Sequence, residues 1–168
     1  MSGTEPTSPA AVARGIAARA RALAGEILAM QQDAHASGSG LPDHAMYRCD
    51  EAAADLRNAA DDMLETAADL DRVAAAAAPG TCTIPWGVCP DHGNYLIGTG
   101  GRCWCQRPGC GRRWDYDREG LPCTEPARWR VTDQAGVSAL MCNGHAMDAR
   151  ERLEGAVITA IGKDGGDE

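Results

Sequence analysis

A chain of 168 residues with no phenylalanine and seven aromatic side chains can build only a thin conventional core. Its formal charge of −8 disfavours nucleic acid and anionic membrane over most of the surface, and no stretch approaches the roughly 20 apolar residues of a membrane span. The charge is uneven, net −6 over residues 1–80, +2 over 81–130 and −4 over 131–168, so any phosphate contact would be local to the middle segment.

The opening MSGTEPTSPAAVARG lacks the basic region and continuous apolar run of a secretory leader. Cytoplasm is therefore the expected compartment, where thiols stay reduced and clustered cysteines read as metal ligands rather than as a disulfide framework. Residues 1–8 are expected to be disordered. Residues 9–34 and 43–78 read as two helices, the first capped by Ser8 with Pro9 in its first turn and the second capped by Asp43. In the first, Val12, Ile16, Leu23, Ile27 and Met30 fall on one stripe. In the second, Cys49, Leu56, Met63 and Leu70 recur every seven residues, with Ala53, Ala60, Ala67 and Ala74 between them. Large residues alternating with alanine suit two closely packed antiparallel helices, so 9–79 is expected to form a helical hairpin that Pro79 and Gly80 end. Cys49 reads as a small core residue, and His35 and His44 as solvated.

From Cys82 onward the chain changes character. Seven of the eight cysteines and two of the four histidines fall between Cys82 and His145. Both Cys89/His92 and Cys142/His145 are Cys-x-x-His pairs, a spacing that lets one turn or helix start aim two ligands at one tetrahedral zinc and that favours zinc over an iron–sulfur cluster. In CPDHGNYLIGTGGRCWCQRPGCGRR, Asn94–Ile97 and Arg102–Cys105 can form a hairpin turned at GTGG, with Cys105 and Cys110 bracketing a second turn. This unit, over about residues 88–114, resembles a zinc ribbon: two metal-binding knuckles joined by a β-hairpin, here with a histidine in place of the usual second cysteine. In CTEPARWRVTDQAGVSALMCNGHAMDARERLEG, Arg128–Thr132 and Val137–Met141 flank the turn DQAG. Cys142 and His145 follow, before a helix expected over His145–Leu153 with Asn143 as its cap and Asp148 near its first turn. Ligands at a hairpin's end and a helix start resemble a treble-clef finger, which normally opens with a paired knuckle. Here only Cys123 stands at that place.

Cys82 is the candidate for the missing ligand, since residues 111–122 hold neither Cys nor His. The expected partition is Cys89, His92, Cys105 and Cys110 at one zinc, and Cys82, Cys123, Cys142 and His145 at a second. Cys103 and Cys105 face the same side of a strand, so either could reach the first zinc; Cys105 is preferred because it abuts the second turn. Each zinc can contribute on the order of 10 kcal/mol of apparent folding free energy, enough to organise a segment with little apolar core. The expected fold is α+β: the hairpin, a two-zinc domain of β-hairpins and a helix over 80–160, and a flexible acidic tail over 161–168.

Catalysis has little support, because four ligands close each site and HAMD at 145–148 is neither HExxH nor HxE. Two functions remain. The first is a non-enzymatic regulatory or adaptor protein with purely structural zinc, acting through a protein partner or through self-association by the hairpin. The alternative is a nucleic-acid-binding, transcription-regulator-like protein whose zinc head uses Arg112, Arg113, Trp114, Arg128 and Arg130. Against that alternative, the tryptophans can instead cover the knuckles while the arginines pair with Asp115, Asp117, Glu119 and Glu125.

Overall fold

The computed structural model describes residues 7–162. Its elements are α1 (Pro9–Ala36), α2 (Asp43–Ala76), β1 (Leu96–Thr99), β2 (Arg102–Cys105), β3 (Arg113–Trp114), β4 (Trp129–Thr132), β5 (Ser138–Met141), α3 (Asn143–Arg152) and β6 (Val157–Ala160), an α+β fold. The expectations for residues 1–8 and 161–168 fall largely outside the described residues. Among those described, no helix is long and apolar enough to cross a membrane. Two units divide between Asp71 and Arg72, inside α2.

The first unit is the helical hairpin. Ser8 accepts the Ala11 amide at 3.2 Å, and Pro9 occupies the first turn, where its missing N–H leaves no carbonyl unserved. Gly38, at φ +70°, turns the chain out of α1. Asp43 lies inside the first turn of α2 rather than capping it, and the Pro42 carbonyl accepts from Ala45 at 2.8 Å.

The antiparallel seam differs from expectation on one side. On α2 it follows Cys49, Ala53, Leu56, Ala60, Met63, Ala67 and Leu70, with the alanines fully buried. On α1 it consists of Ala10, Ala13, Ala17, Ala20, Ala24, Ile27, Gln31 and Ala34, at alternating intervals of three and four. Of the α1 stripe expected in the seam only Ile27, half-buried, lies there; Val12 is 49%, Ile16 39%, Leu23 50% and Met30 49% exposed. Size explains the swap. α2 already brings leucine and methionine to the seam, so close approach requires the small face of α1 opposite. One edge of the hairpin is closed by polar contacts: Arg14 with Asp71, Arg21 with Asp61 at 2.7 Å, and Gln31 with Asp50 at 3.0 Å.

The second unit begins within the last turns of α2, at Arg72. Gly80 turns the chain at φ +81°, and the Thr81 hydroxyl donates to the carbonyls of Ala76 and Ala78 at 2.6 Å. Two three-stranded antiparallel sheets follow, ordered β1-β2-β3 and β5-β4-β6. Both expected hairpins are present, the first with its opening arm at Leu96–Thr99 rather than Asn94–Ile97, so that Gly100 and Gly101 alone make the turn. Leu96 pairs with Cys105 and Thr99 with Arg102, while Trp129 pairs with Met141 and Thr132 with Ser138. Two strands went unread in the sequence. β3 is two residues long, with Trp114 opposite Cys103, and β6 returns after α3 so that Ile158 pairs with Val131.

Substituting Ala60→Leu should therefore overpack the hairpin seam and cost about 1–3 kcal/mol, lowering the melting temperature of the helical circular-dichroism signal. An unchanged melting temperature would show that the seam is not close-packed.

Candidate metal centres

Four donors from three separate stretches of chain meet at one centre. Cys82 is held by its amide donating to the Glu125 carbonyl at 2.9 Å. The Cys123 amide reciprocates by donating to the Ile84 carbonyl at 3.1 Å, and Thr83 donates to Leu140 at 2.8 Å. The segment after α2 is thus stitched to both the Cys123 loop and β5. Cys142 is the N-cap residue of α3, without a side-chain cap bond, and His145 lies within the helix's first turns. Asn143, expected as the cap, is the first helical residue; its Oδ1 accepts from Trp129 Nε1 at 2.8 Å. Cys82 Sγ and Cys142 Sγ both lie 3.3 Å from His145 Nδ1, and Cys123 Sγ lies 3.9 Å from Cys142 Sγ. All four ligand atoms fall within 4.8 Å of one another, and all four residues are buried.

The other centre is built from two turns and a strand end. The Cys89 amide donates to the Gly93 carbonyl at 3.0 Å and the Gly93 amide to the Cys89 carbonyl at 2.8 Å, closing a knuckle that needs Gly93 at φ +72°. Cys105 ends β2, and the Cys110 amide donates to the Arg107 carbonyl at 3.0 Å, with Gly109 at φ +82° turning the chain. Cys89 Sγ and Cys105 Sγ each lie 3.6 Å from His92 Nδ1, and Cys110 completes a second set within 4.8 Å. Cys103 belongs to neither set. It is buried with Leu96 and Trp114 beneath the hairpin, where removal from water pushes its thiol up.

The dimensions suit metal ions. A tetrahedral ion with bonds of about 2.3 Å to sulfur and 2.0 Å to nitrogen spaces its sulfurs about 3.8 Å apart, and sulfur from nitrogen about 3.5 Å. A disulfide would need its sulfurs about 2.0 Å apart, and all eight cysteines are free. Protonation chemistry points the same way. Donation from the Cys123 and Cys142 thiols holds Cys82 down to about 3, while contacts with Cys142 and then Cys82 push Cys123 up. Burial pushes Cys89 up to about 11. Protons alone stabilise one thiolate in such a cluster at the expense of its neighbours; several thiolates together call for a cation.

Residues outside the two sets bind them into one block. Val88, fully buried, packs with Cys82, Cys123 and Cys142, one residue before Cys89 of the other set. Gly144 is needed because a Cβ there would collide with the Cys89 carbonyl and sit 2.8 Å from a Val88 methyl. Asp148 accepts the Asn94 amide at 2.9 Å, fastening α3 to the first knuckle. Arg118 is only 4% exposed; it donates to the Val88 carbonyl at 2.9 Å and to Glu125 at 2.7 Å, and its guanidinium lies 4.8 Å from the Trp114 ring centre. Burial pulls its pKa down, but the contacts with Tyr116 and then the Glu125 carboxylate together outweigh it and keep the pKa above the ordinary value. Arg118 was not among the residues singled out in the sequence. The available signal was its place between the two ligand sets, near Glu125.

The remaining arginines and aromatics are mixed in role. Arg112 pairs with Asp91, lowering that carboxyl, and Trp114 lies half-buried beneath Arg118. Arg107 stacks on Tyr95 and Arg150 on Trp129. Arg113, Arg128 and Arg130 are exposed and form no ion pair among the described residues. The chain matches no protein-family model, no curated protein and no solved structure.

In metal-replete buffer, Arg118→Ala should lower stability by about 3 kcal/mol, because it strands Glu125 and the Val88 carbonyl. Arg112→Ala, which opens a half-exposed pair, should change it by less than about 1 kcal/mol. Urea titrations followed by tryptophan emission report on this unit, because all four tryptophans belong to it. Equal effects of the two variants would contradict the structural role assigned to Arg118.

Proposed function

We propose that this chain is a non-enzymatic, zinc-binding regulatory or adaptor protein that acts through protein contacts, with one structural zinc at each centre. The observation that carries the reading is the closure of both donor sets. Each supplies four cysteine or histidine atoms, which fills a tetrahedral zinc and leaves no position for substrate or water. The mixed sulfur and imidazole donors favour zinc over magnesium or calcium, and one imidazole at each centre favours it over an iron–sulfur cluster. The metals hold together a unit with few large apolar side chains, and the unit displays its arginines and aromatics on a rigid frame.

Nucleic-acid binding is the second reading, supported by one face of the first sheet. Trp104, 37% exposed, pairs across the strands with Arg113, and Arg102 lies two residues before it on the same face. A tryptophan between two cations is the arrangement on which a base can stack while phosphates are neutralised. The acidic balance of the whole chain weighs against it.

Native mass spectrometry should find two zincs per chain. Cys142→Ser should retain one and Cys103→Ser both, and removal by chelator should shift tryptophan emission to the red as the second unit unfolds. A single zinc, or intact disulfides, would overturn the two-centre assignment.

Fluorescence anisotropy with single-stranded DNA and RNA separates the two functional readings. The first expects dissociation constants no tighter than about 10 μM at physiological salt. Tighter binding whose salt dependence weakens in Arg102→Ala and Arg113→Ala would replace it with the second.

A further inference from the structure

The hairpin has two unlike edges. One is closed by Arg14–Asp71, Arg21–Asp61 and Gln31–Asp50. The other is apolar and open: Leu23, Glu26, Ile27, Met30 and Leu56 line a shallow groove of about 500 Å³. Ile16, Leu23 and Met30 recur along this edge at intervals of seven, each 39–50% exposed, so α1 carries a second apolar row beside its buried alanine seam. On α2, Ala52 and Ala59 lie four residues before and three after Leu56, on its side away from the seam, and both are exposed. Their small side chains let another helix approach closely.

We infer that this open edge seats a second copy of the chain, α1 packing antiparallel on α1 about a two-fold axis at Leu23. The inference rests on the reading of the protein as a protein-contact module and names its partner. The row is self-complementary in that arrangement: Leu23 meets its own counterpart, while Ile16 and Met30, each seven residues away, meet one another twice. The charges flanking the row agree. Arg19 stands four residues before Leu23 and Glu26 three after, so each Arg19 falls beside Glu26 of the other copy. Both are exposed, and neither forms an ion pair among the described residues. A parallel arrangement would set Arg19 against Arg19 and Glu26 against Glu26, so the charges select the antiparallel one. The product is a four-helix bundle in which every helix is antiparallel to its neighbours.

Native mass spectrometry and sedimentation of the full chain at about 50 μM should find a dimer carrying its metals. Leu23→Asp should raise the dissociation constant about 100-fold while leaving helicity intact, because Leu23 is outside the intramolecular seam. Arg19→Glu should weaken the dimer about tenfold, and adding Glu26→Arg to it should restore the affinity. Should Leu23→Asp fail to fold, the charge reversal and its rescue still decide. A monomeric wild type with two zincs would overturn this inference and leave the zinc reading standing. A metal-free dimer with the expected variant effects would do the reverse. A dimer indifferent to Leu23→Asp and to the charge reversal would place the contact elsewhere and overturn the inference.

Discussion

Three sulfurs and one imidazole nitrogen gathered within 4.8 Å, twice over, impose the constraint on which the second unit depends. Such donors repel one another as anions and are poorly satisfied as thiols in a buried setting, so the surrounding chain must hold them in place or a cation must neutralise them. The chain does the first with backbone pairing: Cys82 to Glu125, Cys123 to Ile84, and Cys89 to Gly93. It has little else to do it with, since the largest fully buried side chains of the unit are Val88, Cys82, Cys89, Cys103, Cys123 and Cys142.

The two centres are coupled by close packing. Val88 and Cys89 are consecutive, yet they serve different centres, and α3 rests on both through the bare backbone of Gly144. Arg118 adds a buried cation that joins the carbonyl before Cys89 to the carboxylate two residues after Cys123. The two donor sets thus share direct contacts through Val88, Gly144 and Arg118. The unit packs around two donor sets, each of which could hold a metal ion.

The grouping of the donor residues into two sets was legible in the sequence because metal chemistry is local in its grammar. Cys-x-x-His pairs announce themselves, and the absence of any Cys or His between residues 111 and 122 left Cys82 as the residue to complete the second set. The hairpins were legible from alternation and from glycine at their turns. What stayed hidden depends on partners distant in sequence. β3 is too short to show a period, and β6 exists because α3 delivers it to the open edge of β4. Asn143 looked like a cap because nothing local revealed Trp129 as a rival donor. The α1 stripe misled for a related reason: hydrophobicity marks which faces are apolar, whereas the size of the opposing residues decides which apolar face is buried.

The alanine seam has a further consequence. Ala10, Ala17 and Ala24 on α1, and Ala53, Ala60 and Ala67 on α2, repeat every seven residues. Sliding one helix past the other by two turns would bring alanine back opposite nearly equivalent neighbours. Packing by itself is thus almost blind to such a slip, much as a ratchet with identical teeth cannot report which tooth is engaged. The information that selects one alignment resides in features that do not repeat: the short connection between Ala36 and Asp43, and the polar edge where Arg14, Arg21 and Gln31 each find a different aspartate. In this hairpin the contacts that contribute least to cohesion are the ones that specify its alignment.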